Sequence, residues 1–370
     1  MDRRNFLRTS ALAASLALPA WSRAADSATP QPFAPHPANG WRVFELTSRI
    51  EPAASGDRTR VWVPLPSIDD PQWIRPMGNL WRGNADTMRV VTEADYGAAM
   101  LQAEWAPGAA SPLLEVVSRF ATCDRAVDFT RPGPARELPA AERALYTRPT
   151  ALIPTDGVVR DTAESIVRGA TSDEERARAI YEWIVDNTFR NPKTRGCGLG
   201  DIRTMLENRD LSGKCADLNA LYVGLARAAG LPARDVYGVR VADSRFGYKS
   251  LGKSGDVSKA QHCRAEVWLE QFGWVPVDPA DVRKVVLEEP PGGLALDDPK
   301  VATARRVLFG AWEMNWLGYN FAHDVRLPGS SGPQAPYLMY PQGESGGTRF
   351  DSLDPAVFRY SLTAREVTLA

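Results

Sequence analysis

The chain changes hydrophobic period part-way along its length. Between Trp41 and about Pro132 apolar positions alternate in short runs broken by Gly, Asp and Pro: Phe44, Leu46 and Ile50 recur at even spacings, 60–66 ends on prolines, and 88–92, 100–105 and 114–129 follow. A period of two with frequent breaks predicts a small antiparallel, sandwich-like β domain over 41–135, with Cys123 as a small buried hydrophobe. Near Ala140 the pattern turns helical. Ser172-Asp173-Glu174-Glu175 has the form of a capping box, and Ala177, Ile180, Tyr181 and Ile184 carry a helix to about Asn187. A glycine-rich break at 195–200 leads to a short helix near 202–207. The next helix starts at Cys215, with Leu218, Leu221, Tyr222, Leu225 and Ala229 on one stripe, and closes on Gly230 and Pro232. Beyond Asp281 come an aromatic-rich stretch at 309–321, a Gly/Pro/Ser loop at 328–336, and a last alternating strand with Phe358, Tyr360 and Leu362. No internal repeat is visible. The fold class expected is α+β, with a mixed domain at 136–290 and a C-terminal extension at 291–370 that packs on it.

The N-terminus reads differently. Asp2-Arg3-Arg4-Asn5-Phe6-Leu7-Arg8 precedes a short apolar run, 11–21, and then Ser22-Arg23-Ala24, so residues 1–24 resemble a twin-arginine signal peptide cut after Ala24. This implies a protein that works in the periplasm or outside the cell. Residues 25–40, with Pro30, Pro32, Pro35 and Pro37, read as an extended, disordered linker in which His36 is solvated.

Composition narrows the chemistry. The 370 residues are 44% hydrophobic and 24% charged, which is globular, and 44 Lys and Arg stand against 45 Asp and Glu. That balance gives no basic excess for a nucleic-acid partner. Nowhere do about 18 apolar residues run together, so no membrane span is expected in the mature form. Histidine occurs three times, at 36, 262 and 323, which excludes sites built from many imidazoles. His323 reads as a packed histidine, and Trp312 and Trp316 as core.

One histidine suffices for acyl transfer. Cys215 stands in the first turn of its helix, where free N–H groups and the dipole favour a thiolate, and Lys214 adds to that. Downstream, 262–278 reads as a hairpin. If Glu270-Gln271-Phe272 forms its loop and Leu269 pairs with Gly273, then Ala265, Val267, Leu269, Val275 and Val277 share an apolar face. His262 and Asp278 then share the other, with Asp278 across from Arg264 and diagonal to His262, close enough for the carboxylate to orient the imidazole. Pro276 marks the second strand as an edge or a bulge. A thiolate nucleophile, an imidazole to carry the proton and an acid to hold its tautomer make a complete set.

These residues carry a resemblance. Gly213-Lys214-Cys215-Ala216-Asp217, the 227–234 segment Arg-Ala-Ala-Gly-Leu-Pro-Ala-Arg, the strand from His262 to Trp268, and Gly273-Trp274-Val275-Pro276-Val277-Asp278-Pro279 resemble the transglutaminase-like superfamily, a branch of the papain-like cysteine fold. The resemblance implies a papain-like core behind an N-terminal β domain, with Cys215 as nucleophile, His262 as general base and acid, and Asp278 as the orienting carboxylate. No cofactor and no metal are expected. Two departures bear on specificity. Cys263-Arg264 replaces the small residue and Trp that follow the histidine in many relatives, so the groove wall is expected to differ. The second oxyanion donor, beside the Cys215 amide, is open between Asn187, Asn191 and another group.

The remaining cysteines leave alternatives. Cys197 and Cys263 could form a disulfide bracing the active-site loops. A zinc site from Cys197, Cys215, His262 and Cys263 fits by ligand type but by no regular spacing, and metal would block attack. The Gly196–Gly200 loop lacks the Lys-Ser or Lys-Thr of a phosphate cradle. The reading is an exported cysteine enzyme that forms an acyl-enzyme on a peptide or amide carbonyl of the cell envelope, with hydrolysis (peptidase or amidase) ahead of cross-linking. The alternatives are a non-catalytic envelope binding protein on the same scaffold, a protein transamidase, and an acyltransferase using a thioester donor.

Overall fold

Alternating burial along 41–123 builds two antiparallel sheets. The computed structural model describes residues 32–368; the signal segment and residues 25–31 lie outside them. In the first five-stranded sheet the order is Gly255–Asp256, Phe358–Val367, Trp41–Pro52, Leu114–Cys123, Ile74–Gly83. In the second it is Thr348–Arg349, Gln342–Ser345, Thr59–Pro64, Ala99–Trp105, Thr87–Thr92. Ile50, Leu114, Val116 and Phe358 of the first pack on Val61, Val63, Leu101 and Trp105 of the second, so the inner faces make a sandwich core. Cys123 is buried, its thiol directed at Pro37 O.

Two stretches differ from expectation. Residues 32–40 are ordered: Phe33 is buried against Phe246 and Tyr248, and His36, though exposed, accepts from Ala38 N through Nδ1 to cap a short turn at Pro37–Asn39. One buried aromatic anchors a proline-rich strand that composition alone marks as loose. Residues 291–370 do more than pack on the mixed domain. Trp316–Asn320 joins its sheet, Gln342–Ser345 pairs with Thr59–Pro64, and Phe358–Val367 pairs with Trp41–Pro52 from Val43↔Val367 to Pro52↔Phe358. The end of the chain closes the sandwich opened at its start.

The second half is an α+β core. A four-stranded antiparallel sheet runs Gly273–Val277, Gln261–Leu269, Ala233–Arg240, Trp316–Asn320, with the Cys215–Ala228 helix against it. Every residue of that helix from Cys215 to Arg227 is buried. Tyr222 of the apolar stripe reaches Ala177 O on the Asp173–Asn187 helix, whereas Asn219, off the stripe, meets the sheet at Cys263 O, so the stripe and the faces beside it are all enclosed. A helix covered all round is a central one, which a single-stripe reading underestimates. Ser172 caps the Asp173–Asn187 helix by accepting from Glu175 N at 3.2 Å, and the short helix is Ile202–Glu207. Glu266, fully buried, ties the halves together through Arg234 at 2.6 Å and through Arg125, whose guanidinium also covers Trp73 and Trp312. Among the described residues no helix is long and apolar enough to cross a membrane.

Candidate active site

The site is assembled around the mouth of the central helix. Asp217, one turn in, folds its carboxylate back: Oδ2 accepts from Lys214 N at 2.9 Å, and Oδ1 accepts from Leu199 N and Gly200 N, each at 3.0 Å. Ala216 N donates to Cys197 O at 2.9 Å. The glycine-rich stretch is therefore a collar clamped to the helix start. Only glycine fits where the clamp closes, because a Cβ on Gly198 (φ +95°) or Gly213 would lie 1.9 or 2.5 Å from the Asp217 side chain.

The hairpin has the register read from the sequence. Leu269 pairs with Gly273, Val267 with Val275 and Ala265 with Val277, and the proline-bearing strand is an edge. Asp278 then leaves the strand to cap the Pro279–Glu288 helix, accepting from Asp281 N at 3.0 Å. Its other oxygen lies 2.7 Å from His262 Nε2. That commitment leaves Nδ1 as the ring nitrogen available to the Cys215 thiol, which lines the same cleft and whose pKa His262 helps to lower. Asn219, one turn along the central helix, donates to Cys263 O at 2.8 Å and to Asp278 Oδ1 at 3.3 Å, while Trp316 Nε1 donates to His262 O at 2.9 Å. The structure thus brings Cys215, His262 and Asp278 together.

A second carboxylate stands behind the first. Asp281 Oδ1 is 3.4 Å from His262 Nε2, and both oxygens of the same carboxylate accept from Arg240 Nη2, at 2.6 and 2.8 Å. Arg264 Nε approaches Asp278 Oδ2 at 3.5 Å. The ligand atoms of His262, Asp278 and Asp281 lie within 4.8 Å of one another, close enough to consider a metal ion, but here two guanidiniums supply the positive charge. Burial pulls the imidazole pKa down, Asp281 and Asp278 raise it against Arg240, and the balance leaves it at about 9. Hydrogen bonds from Cys197 and Cys263, joined by His262, hold the Cys215 thiol well below its usual range in spite of burial. The flanking thiols move the opposite way, well above the usual value, Cys197 chiefly through its bond to Cys215 and Cys263 chiefly through burial. Both are free cysteines, so the bracing disulfide is not formed.

Cys215, 3% exposed, sits at the floor of a cleft of about 760 Å³. His262, Gln261, Tyr340 and, from the last strand, Phe358 and Tyr360 line it, so the closing strand of the sandwich also walls the cleft. Gln261 Nε2 is buried there with no hydrogen-bond partner. Asn187 and Asn191 are engaged elsewhere, with Trp183 O and Ser212 Oγ, and neither lines the cleft. Arg264 is not a groove wall, contrary to expectation: it is buried over Trp312 and Trp316 and donates to Glu313 O, because the two indoles offer its cation a face in the core. Cys263 turns inward to Cys215. His323 is packed, near Tyr237 OH at 3.3 Å and Asp235 at 3.4 Å. Sequence reasoning missed Asp281, Arg240, Asn219, Asp217 and Gln261. Asp281, at the third position after a capping Asp-Pro, is the one a local pattern could have found.

Residues 160–279 match the family model of the transglutaminase-like superfamily, and an uncharacterized protein of Haemophilus influenzae is 34% identical over 345 residues, covering 88% of this chain and 92% of that one. The chain belongs to the transglutaminase-like superfamily. Its fold is similar to that of a candidate cysteine protease from Cytophaga hutchinsonii, with a TM-score of 0.50 and 13% identity over 88% of this chain and 98% of that one. The periplasmic domain of TgpA from Pseudomonas aeruginosa aligns at a TM-score of 0.34 and 17% identity, over 66% and 88% of the respective chains. The transglutaminase-like match ends at Pro279, so it takes in Cys215, His262 and Asp278 but stops before Asp281.

Proposed function

We propose that this transglutaminase-like protein is a cysteine enzyme that cleaves a peptide or amide bond through an acyl-enzyme on Cys215. The observation that carries the reading is the 2.7 Å contact that commits His262 Nε2 to Asp278 and frees the other ring nitrogen for a thiol at a helix mouth. A low thiol pKa beside an imidazole raised to about 9 describes a thiolate–imidazolium pair at rest. The thiolate attacks the carbonyl carbon, and the developing oxyanion is received by the Cys215 amide and by the free amide of Gln261. The imidazolium gives its proton to the departing amine as the tetrahedral adduct collapses to a thioester. Water, deprotonated by the now neutral His262, attacks the thioester; the adduct expels the Cys215 thiolate and releases the acid, and the proton taken from water stays on the ring to restore the ion pair. With residues 1–24 acting as an export signal, the substrate belongs to the cell envelope.

The test is the mass of products from amide-bearing peptides, with and without a primary amine, alongside trapping of the thioester on Cys215. Free acid in the presence of amine supports hydrolysis. Loss of ammonia with gain of the amine makes the enzyme a transamidase. A Cys215 that forms no thioester and alkylates no faster than Cys123 overturns the enzymatic reading in favour of a binding scaffold.

A further inference from the structure

The chain as a whole carries a formal charge of −1, yet seven basic residues and one acidic residue line the cleft. Three of the seven are already neutralised: Arg240 by Asp281, Arg195 by Asp351 at 2.6 Å, and Arg190 by Glu288. Four lysines remain. Lys214, Lys253 and Lys259 have no carboxylate within ion-pair distance among the described residues, and Lys284 has only Glu288, at 3.7 Å and shared with Arg190. The acidic lining residue, Asp256, lies close to Lys253 and Lys259, with its carboxylate held by Ser258 N and Oγ. It offsets one of their two charges.

Resting on the acyl-enzyme reading above, we propose that the cleft selects an anionic substrate, a peptide or amide with carboxylates near the scissile carbonyl. The cations that hold it are Lys214 at the helix mouth, Lys284 on the helix that Asp278 caps, and Lys253 and Lys259 on the segment leading to His262. Lys284 gives independent support. It is half-buried, and burial together with Arg240 pushes its ammonium down to about 8. Its nearest counter-ion, Glu288 at 3.7 Å, is shared with Arg190, so the cation is incompletely compensated and a substrate carboxylate would complete the balance. Unpaired lysines on a solvated wall keep their full attraction for an incoming anion, whereas the arginines have spent theirs on internal partners. The reaction centre favours a peptide over a nucleic acid, since the nucleophile faces a carbonyl chemistry.

Two measurements on the full chain test this. The first compares alkylation of Cys215 by iodoacetate and by iodoacetamide at about pH 7 and low salt. Their ratio cancels the thiolate fraction and reports the potential at the sulfur. Replacing both remote lysines, Lys253→Gln with Lys259→Gln, is expected to lower that ratio about twofold, and adding Lys214→Gln and Lys284→Gln about fourfold, with the difference vanishing at about 0.5 M salt. Lys284→Met serves if the glutamine disturbs folding. The second uses Cys215→Ala and the fluorescence anisotropy of labelled octapeptides alternating Glu with Ala or Gln with Ala. The Glu peptide is expected to bind about tenfold tighter, and the lysine variants to lose most of that advantage. An unmoved alkylation ratio, or equal binding of the two peptides, overturns the proposal. So does tighter binding of a single-stranded oligonucleotide of equal charge. Slow alkylation by both reagents strikes at the acyl-enzyme reading instead, and the peptide arm still decides the cleft's preference.

Discussion

Replacing Asp278 with asparagine preserves the shape of the site and removes one charge from it. The amide oxygen of Asp278→Asn can still accept from Asp281 N, now at 3.0 Å, so the helix cap survives. What is lost is the anion 2.7 Å from His262 Nε2. In the parent, burial opposes the imidazolium, Asp281 is its largest support, Arg240 works against it and Asp278 comes next, and the pKa stands at about 9 against an ordinary 6.5. That rise corresponds to about 3 kcal/mol in favour of the charged ring. Removing the Asp278 charge, which acts on the ring both through space and through its hydrogen bond, takes away about 1 to 2 pKa units and leaves the ring titrating at about 7 to 8. The assay is carboxymethylation of Cys215 by iodoacetate across pH, read by peptide mass. The anionic reagent follows the thiolate–imidazolium pair, rising as the thiol ionises and falling as the ring loses its proton. Because the ring's pKa is raised, the parent's plateau extends up to about pH 9. In Asp278→Asn the upper limb moves down by about 1 to 2 units, and the lower limb moves up because the thiolate has lost part of its counter-ion. An upper limb that stays near 9 refutes the role given to Asp278. A parent that labels like an ordinary thiol, rising only through about pH 8.5, refutes the ion pair itself.

Three other changes test the surroundings. Asp217→Ala strands the amides of Leu199, Gly200 and Lys214; the expected loss is about 3 kcal/mol or more in urea unfolding, with slower Cys215 alkylation, and Gly198→Ala should act in the same direction. Arg240→Met leaves the buried Asp281 carboxylate without its guanidinium partner, and should cost about 3 to 5 kcal/mol in the same measurement. Gln261→Ala removes the proposed second oxyanion donor and should lower kcat roughly a hundredfold or more while KM stays near the parent value in steady-state kinetics; a change confined to KM would remove Gln261 from that role.

The parts of the site legible in the sequence are those set by short-range geometry. A strand's period of two fixes which side chains share a face once a single pair is placed, so pairing Leu269 with Gly273 was enough to put Asp278 diagonal to His262. The helix mouth at Cys215 was equally local, marked by Gly213 before it and Gly230 after the last turn. What escaped is non-local. Arg240 ends a strand 41 positions before the aspartate it binds, and nothing within either segment points to the other. The pairing of Phe358–Val367 with Trp41–Pro52 spans almost the whole chain, and alternation in each strand says only that each has a partner. Arg264 was legible in part: the hairpin register set it across from Asp278, where its Nε lies 3.5 Å from Oδ2, but the two tryptophans that cover it are distant in sequence.

The charges that escaped notice explain why the legible ones can work while buried. Asp278 and Asp281 contribute two negative charges, Arg240 and Arg264 two positive ones, and all four groups are almost fully enclosed. The frame is balanced before Cys215 and His262 are counted, so moving a proton from the thiol to the imidazole creates two opposite charges without changing the net charge of the core. A lone aspartate would hold the imidazolium as well but leave one charge unmatched whenever the ring is neutral, as it is once the proposed thioester has formed. With Asp281 tied to Arg240 and Asp278 near Arg264, the pair is supported in its charged form and tolerated in its neutral form. The same balance predicts opposite signs for the two substitutions: Asp278→Asn lowers the ring's pKa, and Arg240→Met, which removes the cation that depresses it, raises it and carries the upper limb of the iodoacetate profile above its parent position.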